Sequence, residues 1–207
     1  MTGGGREPVR ALAVALAQLG WNLALNDLVP TRLDETARLA REAGAQVSTH
    51  IGDASKGLFA RGLVEEALDA WGQIDALVNF PMAEPRLALL DLDEWDFQRT
   101  LEANIHGPFL LMQLVGNWLR NEERSGVMIN LISGPSEPPL HAGREAYYTS
   151  QMGLRALTDA AAPGFHVYNI DVFGICLGES QPETLARQAV SLLISQGQVP
   201  SGTIFHL

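Results

Sequence analysis

Short apolar runs alternate with helix-forming stretches along this chain, and that alternation constrains the fold more than any other feature. The runs are Trp21–Asn26, Gln46–Ile51, Ile74–Asn79, Val127–Ile132, Phe165–Val172 and Gly202–Leu207, several of them near-continuously apolar. Strands of that kind are buried on both faces, as in parallel sheets covered by helices. Between them, residues 8–19 are rich in alanine and leucine and stop at Gly20, a residue suited to a helix C-cap. Pro30 and Thr31 open a second helix that stops at Gly44, and helices are predicted over residues 57–71, 93–120, 145–161 and 182–195. Asp91 or Asp93 is the expected N-cap of the long fourth helix. The predicted fold class is therefore α/β, a doubly wound parallel sheet, in one domain over residues 1–207. No repeat or linker divides it.

Composition then removes whole classes of function. A net charge of -10 repels phosphate backbones, so no nucleic acid is expected as a partner. No apolar run approaches the ~20 residues that span a bilayer, and Met1–Arg6 lack the apolar core of a signal peptide. With the single cysteine, Cys176, unable to form an internal disulfide, a cytoplasmic protein without membrane contact is expected. The histidines at 50, 106, 141, 166 and 206 lack metal-ligand spacing, so no metal site is predicted. Thirteen of the 14 basic residues are arginine; the lone lysine is Lys56.

In doubly wound sheets, ligands bind beyond the carboxyl ends of the strands, which makes the strand-end residues the informative ones. In order they are the turn Thr2-Gly3-Gly4-Gly5, Asp27, Asp53, Leu77-Val78-Asn79, Asn104 in the long helix, Asn130-Leu131-Ile132-Ser133 and Ala146–Gln151. Val167-Tyr168-Asn169, Phe173-Gly174 and Gly202-Thr203-Ile204 follow. Taken together they resemble the short-chain dehydrogenase/reductase family, over nearly the whole chain. The resemblance implies a Rossmann-like fold and hydride transfer between a nicotinamide dinucleotide and a carbinol or carbonyl carbon. It places Thr2, Gly3, Asp27, Asp53 and Asn79 at cofactor-binding positions, with Asp27 favouring NAD over NADP. Asn104, Ser133 and Tyr147 fall on the catalytic positions, with Ser136 as an alternative serine.

The same resemblance exposes departures. The family's glycine motif holds Glu7 and Val9 at its later glycine positions. Val9 would occupy space the phosphates need. A Glu7 carboxylate about 4 Å from a phosphate charge would be repelled by roughly 1 kcal/mol in water and ~4 kcal/mol at an effective dielectric of 20. The signature after the fourth family strand reads Asn79-Phe80-Pro81-Met82, which replaces small residues by bulk. Gln151 stands where a lysine would lower the tyrosine's pKa from near 10, and Lys56 lies elsewhere in the chain. The family's first strand, its helical substrate lid after Gly174 and its C-terminal tail are missing, and the helix after Tyr147 reads as about two turns short.

These losses predict a degenerate, non-catalytic subunit of the kind found in heteromeric family members. It would bind no cofactor itself and assemble, in a tetramer, with an active NAD-dependent homologue that oxidises or reduces hydroxyacyl or ketone substrates. Apolar side chains for that contact are expected at Phe97, Leu101, Phe109, Leu111, Met112, Val115, Trp118 and Leu119. Two alternatives are an active reductase with a modified Asn104, Ser133 and Tyr147 relay, and a ligand-sensing binding module.

Overall fold

A computed structural model describes residues 1–133, 142–178, 181–195 and 197–207. The strands are β1 (Leu23–Asp27), β2 (Val47–Ile51), β3 (Ala76–Asn79), β4 (Gly126–Ser133), β5 (Ile170–Leu177) and β6 (Ile204–His206). All pairings are parallel, β1 with β2 in one sheet and β3, β4, β5 and β6 in that order in another. The helices are α1 (Val9–Gln18), α2 (Pro30–Glu42), α3 (Gly57–Trp71), α4 (Glu94–Leu101), α5 (Gly107–Asn121), α6 (Glu145–His166) and α7 (Pro182–Ile194). This is the expected Rossmann-like α/β architecture. In β4 and β5 every residue but the last is buried, which their continuous apolar runs require.

The sheet is covered on both faces. One core packs Leu12, Leu16, Leu33, Leu185 and Leu192 from α1, α2 and α7 against Leu25, Ile129 and Phe173. The other packs Leu63, Leu111, Met112 and Val115 from α3 and α5 against Leu77, Met128 and Val172. Met1 and Thr2 join the two sheets. Thr2 forms an isolated parallel bridge with Asn26, the Asn26 N–H donates to Met1 C=O at 2.9 Å, and the Thr2 N–H donates to Val78 C=O at 2.9 Å.

Three elements differ from their sequence reading. The helix predicted over 93–120 is interrupted between α4 and α5 by a wide π turn at Glu102–His106. Pro108, at the start of α5, has no N–H to donate to the carbonyl of Asn104, so the regular ladder cannot continue there. Asp93 caps α4 as expected, accepting the Asp96 N–H at 2.7 Å.

The helix after Tyr147 is not short. It runs 22 residues to His166, through Pro163, and the following strand starts at Ile170 rather than Phe165. Tertiary packing decides this, because the Phe165 ring fills the space against Gly116 on α5, which a Cβ there would enter. Likewise Leu111, Met112, Val115 and Leu119 belong to the core, at 1–2% exposure, and of the apolar contact set Phe109 is the large side chain left exposed.

Candidate functional site

The amino-terminal turn is built around Asp27. Its carboxylate is buried and accepts the Gly5 N–H at 2.9 Å through one oxygen and the Val29 N–H at 3.0 Å through the other. One side chain therefore fixes both the turn and the start of α2. Gly3 has a φ of +64°, and a Cβ on it would collide with the Phe80 carbonyl oxygen. Both the left-handed conformation and the close approach of two backbones require glycine there. Phe80 is locked in turn, its N–H donating to Thr2 Oγ1 at 3.1 Å.

A groove of about 210 Å³ opens beside this turn, and Thr2, Gly3, Arg6, Asp27, Asp53 and Phe80 are among the residues that line it. The volume is below the ~300–1,000 Å³ of complete small-molecule sites, so it has room for part of a dinucleotide. Each carboxylate oxygen of Asp27 holds one backbone N–H and keeps a lone pair for a ligand hydroxyl. Asp53 is tied to Arg99 by a 2.9 Å ion pair and accepts the Ser55 hydroxyl at 2.6 Å. Partial burial would raise the Asp53 pKa, but the Ser55 hydrogen bonds and the charges of Arg99 and Lys56 outweigh it and hold the carboxyl below its ordinary range. The residues lining the groove thus fit a nucleotide: glycine at the turn, a carboxylate acceptor in Asp27, and an arginine, Arg6, of a type suited to phosphate.

Both physical objections drawn from the glycine motif fail. Val9 has no exposed surface and packs into the core with Leu12, so its side chain leaves the groove clear. Glu7 turns along α1, accepting the Ala11 N–H at 3.1 Å and approaching Arg10 at 3.9 Å. Its carboxylate is compensated by a cation and by a helix N-terminus, where an anion is favoured. Asn79, in contrast, stays out of the groove. Its Nδ2 donates to Asn130 Oδ1 at 2.9 Å, and Asn130 Nδ2 donates to Thr158 Oγ1 at 2.9 Å, a buried chain linking β3, β4 and α6.

The second half of the site lies where α6 passes the end of β4. Tyr147 is fully buried, with its hydroxyl 3.5 Å from Met82 Sδ. Burial pushes its pKa above the ordinary value near 10, and its hydrogen bond with Ser133 offsets this only in part. Gln151 is also fully buried; its Oε1 accepts the Ser133 N–H at 2.8 Å, while Nε2 has no partner. Asn104, held in the π turn, uses both amide N–H groups and one lone pair of its oxygen. It accepts the Ala83 N–H, donates to Ala83 C=O and donates to Ser150 Oγ, each at 2.8 Å.

Two residues here had no sequence signal beyond their charge. Arg144 lies 4.9 Å from the Tyr147 ring centroid and 5.1 Å from that of Tyr148, and pairs with Glu84 at 2.6 Å. Arg6 and Arg99 were equally unmarked in the sequence; Arg6 lines the groove, and the contacts of Arg99 with Asp53 and Ser55 join segments far apart in the chain. Lys56 is remote from Tyr147 and pairs with Glu102 at 2.6 Å. The alternative Ser136 lies outside the described residues. Among the described residues no cluster suits a metal ion and no helix is long and apolar enough to cross a membrane.

Comparisons with known proteins agree with this layout. The family model described as short chain dehydrogenase matches residues 1–190. An uncharacterized oxidoreductase of Thermotoga maritima is 29% identical over 185 residues, covering 89% of this chain and 72% of that protein. The (2S)-[(R)-hydroxy(phenyl)methyl]succinyl-CoA dehydrogenase subunit BbsD of Thauera aromatica is 28% identical over 163 residues, covering 78% of this chain and 64% of that one. Among solved structures, an NAD⁺-bound xylitol dehydrogenase is similar at 28% identity and a TM-score of 0.79, covering 95% of this chain and 75% of the other. That a family relative of this likeness carries NAD⁺ overturns the expectation that this chain binds no cofactor. The physical reason is the one given above: Glu7 and Val9 do not obstruct the groove.

Proposed function

This chain belongs to the short-chain dehydrogenase family, and we propose that it binds a nicotinamide dinucleotide itself, has a disabled proton relay, and supports an active homologue in a hetero-oligomer. Gly3 and Thr2 shape the cradle, Arg6 faces the phosphates, and Asp27 accepts from a ribose hydroxyl. A carboxylate at that position favours a free 2′-hydroxyl over a 2′-phosphate, so NAD is the cofactor. The bound dinucleotide supplies the hydride chemistry of the family.

The carrying observation is the state of Tyr147. A general acid or base works best with a pKa near the operating pH, and burial moves this phenol the other way. The nearby cation does not reverse this. Gln151 is uncharged and holds the Ser133 backbone, and the charge of Arg144 is matched by Glu84. Asn104 spends its amide on Ala83 and Ser150. Support for a second subunit comes from the Thauera aromatica relative, which is itself named as a subunit of a dehydrogenase.

A second reading, an active reductase using Asn104, Ser133 and Tyr147, is favoured by one observation, the hydrogen bond retained between Tyr147 and Ser133. Calorimetry with NADH and a turnover assay on ketone and hydroxyacyl substrates separate the two. The proposal expects micromolar NADH binding and no turnover by the purified chain. Turnover that Tyr147→Phe abolishes would establish the second reading, and absence of binding would overturn the cofactor assignment.

A further inference from the structure

Ser48 and His50 stand two residues apart on β2 and so share one face of it, the face that meets α3. The Ser48 hydroxyl lies 2.9 Å from His50 Nε2, and His50 Nδ1 lies 2.7 Å from Glu66 Oε2 on α3. A proton on Nδ1 satisfies the carboxylate and leaves Nε2 to accept from the hydroxyl. The three side chains then stand as nucleophile, base and the group that orients the base. Burial lowers the His50 pKa from its ordinary value near 6.5; the Glu66 carboxylate offsets this only in part, and the Met1 amino group acts in the same direction as burial. At pH 7 the imidazole is therefore mainly the free base that such an arrangement needs.

The backbone beside Ser48 offers a donor. Among the described strands β2 pairs only with β1. Gln46 C=O and Gly52 N–H bond to β1, while Val47 C=O accepts Arg41 from the other side at 2.9 Å. Backbone groups along a strand alternate between its two edges, so the Thr49 N–H points to the open one. It belongs to the residue after the nucleophile, a position from which an amide can stabilise the oxyanion of acyl transfer. Gly52 follows His50 on the same face, and the Phe59 ring fills the space a Cβ there would take, forming an apolar wall. Ser48 is half-buried and Glu66 exposed, so the approach is open and without a deep pocket. Such a site takes small acyl groups.

We propose that Ser48, His50 and Glu66 form a separate site that cleaves small carboxylic esters through an acyl-serine. Ser48 Oγ bonds to the ester carbonyl carbon and its proton passes to His50 Nε2. The bond from that carbon to the alkoxide breaks, and the alkoxide leaves with the proton as an alcohol. Water then adds to the acyl-serine, gives one proton to His50, and releases a carboxylic acid while Ser48 Oγ takes the proton back. Nothing is oxidised or reduced. The inference stands independently of the proposed function, since neither Ser48 nor His50 lines the nucleotide groove.

Two measurements on the full chain test it: hydrolysis of p-nitrophenyl acetate, and labelling by a fluorophosphonate probe with the modified peptide mapped by mass spectrometry. Expected are turnover of the ester and a label on Ser48. Ser48→Ala, a small change on a half-buried side chain, should lose the label and slow turnover at least ~100-fold, the usual scale of nucleophile and base activation, with its circular dichroism melt unchanged. His50→Gln should slow both reactions to a similar degree. Glu66 acts through His50 as a positioning residue, and its charge favours the protonated imidazole. Glu66→Gln should therefore slow turnover and also move the acid limb of the pH–rate profile to lower pH. A label absent from Ser48, or ester turnover unchanged in Ser48→Ala, would overturn the site; an unmoved acid limb in Glu66→Gln would overturn the role of Glu66.

Discussion

Replacing Gln151 by lysine restores the family's residue at a position this fold has rebuilt, and the outcome follows from the contacts. Gln151 is fully buried, and its Oε1 is the acceptor for the Ser133 N–H at 2.8 Å. Lysine has no acceptor, so Gln151→Lys leaves a buried N–H unpaired, a loss of ~1–3 kcal/mol. It also places an ammonium where burial disfavours charge, which lowers a lysine pKa by up to ~3–5 units. Together these predict about 2–5 kcal/mol of destabilisation at pH 7, and at ~2–4 °C per kcal/mol for a domain of this size the melting temperature falls by roughly 5–15 °C.

The pH dependence separates the two contributions. A lysine whose folded pKa is depressed costs nothing above its unfolded value near 10.4 and progressively more as pH falls toward the folded value. Gln151→Lys should therefore recover part of its stability between pH 7 and pH 10.5, while Gln151→Met, which removes only the acceptor, shows the same deficit at both. Circular dichroism melts of the three proteins measure this. A Gln151→Lys protein as stable as the parent at pH 7 would refute the reasoning, since it would mean that Gln151 is not packed against Ser133.

Other consequences are equally direct. Gly3→Ala should lose at least ~1–2 kcal/mol from the left-handed conformation alone, and more from the collision with Phe80, together with NADH affinity; urea melts and calorimetry read both. Asp27→Ala strands two backbone N–H groups in the turn, at ~1–3 kcal/mol each if they stay dry, and should lower the urea midpoint more than Asp27→Asn, which keeps one acceptor. Asn104→Ala frees Ala83 from both of its side-chain hydrogen bonds, so limited proteolysis after residue 83 should speed up, with unchanged proteolysis speaking against the clamp. For Asp53 the folded pKa is depressed, so its stabilisation is present above the unfolded value near 3.8 and lost as pH falls through the folded one. Asp53→Asn should consequently cost stability at pH 7 but little at pH 2, and an equal loss at both would reject the Arg99 and Ser55 pairing as its cause.

Much of this architecture is legible in the chain. Near-continuous apolar strands in 127–132 and the alanine-rich run of α1 required burial on both faces and a helix, whatever their neighbours. Helix starts at Pro30 and Asp93 were equally local, because a fixed φ and a capping carboxylate act within one turn. Strand-end positions such as Asp27 and Ser133 could be identified for the same reason, since order along the chain sets which residues reach the carboxyl ends.

What those residues do was decided by contacts the chain order cannot show. Glu7 and Val9 read as obstacles in the sequence, yet one turns along α1 and the other enters the core, because direction depends on helix phase and packing. Asn104 was placed by its position in the chain, but its hydrogen bonds to Ala83, 21 positions away, could not be read from it. Helix α6 overran its predicted end because Phe165 found its space against Gly116, a long-range fit that outweighs local propensity. The sequence by itself determined the parallel α/β class and the residues at the strand ends, since burial and turn chemistry are short-range. Only the tertiary structure decided that the groove beside the amino-terminal turn is clear of Glu7 and Val9, and that Tyr147 is buried beside an Arg144 whose charge is paired with Glu84, since each depends on groups that meet only on folding.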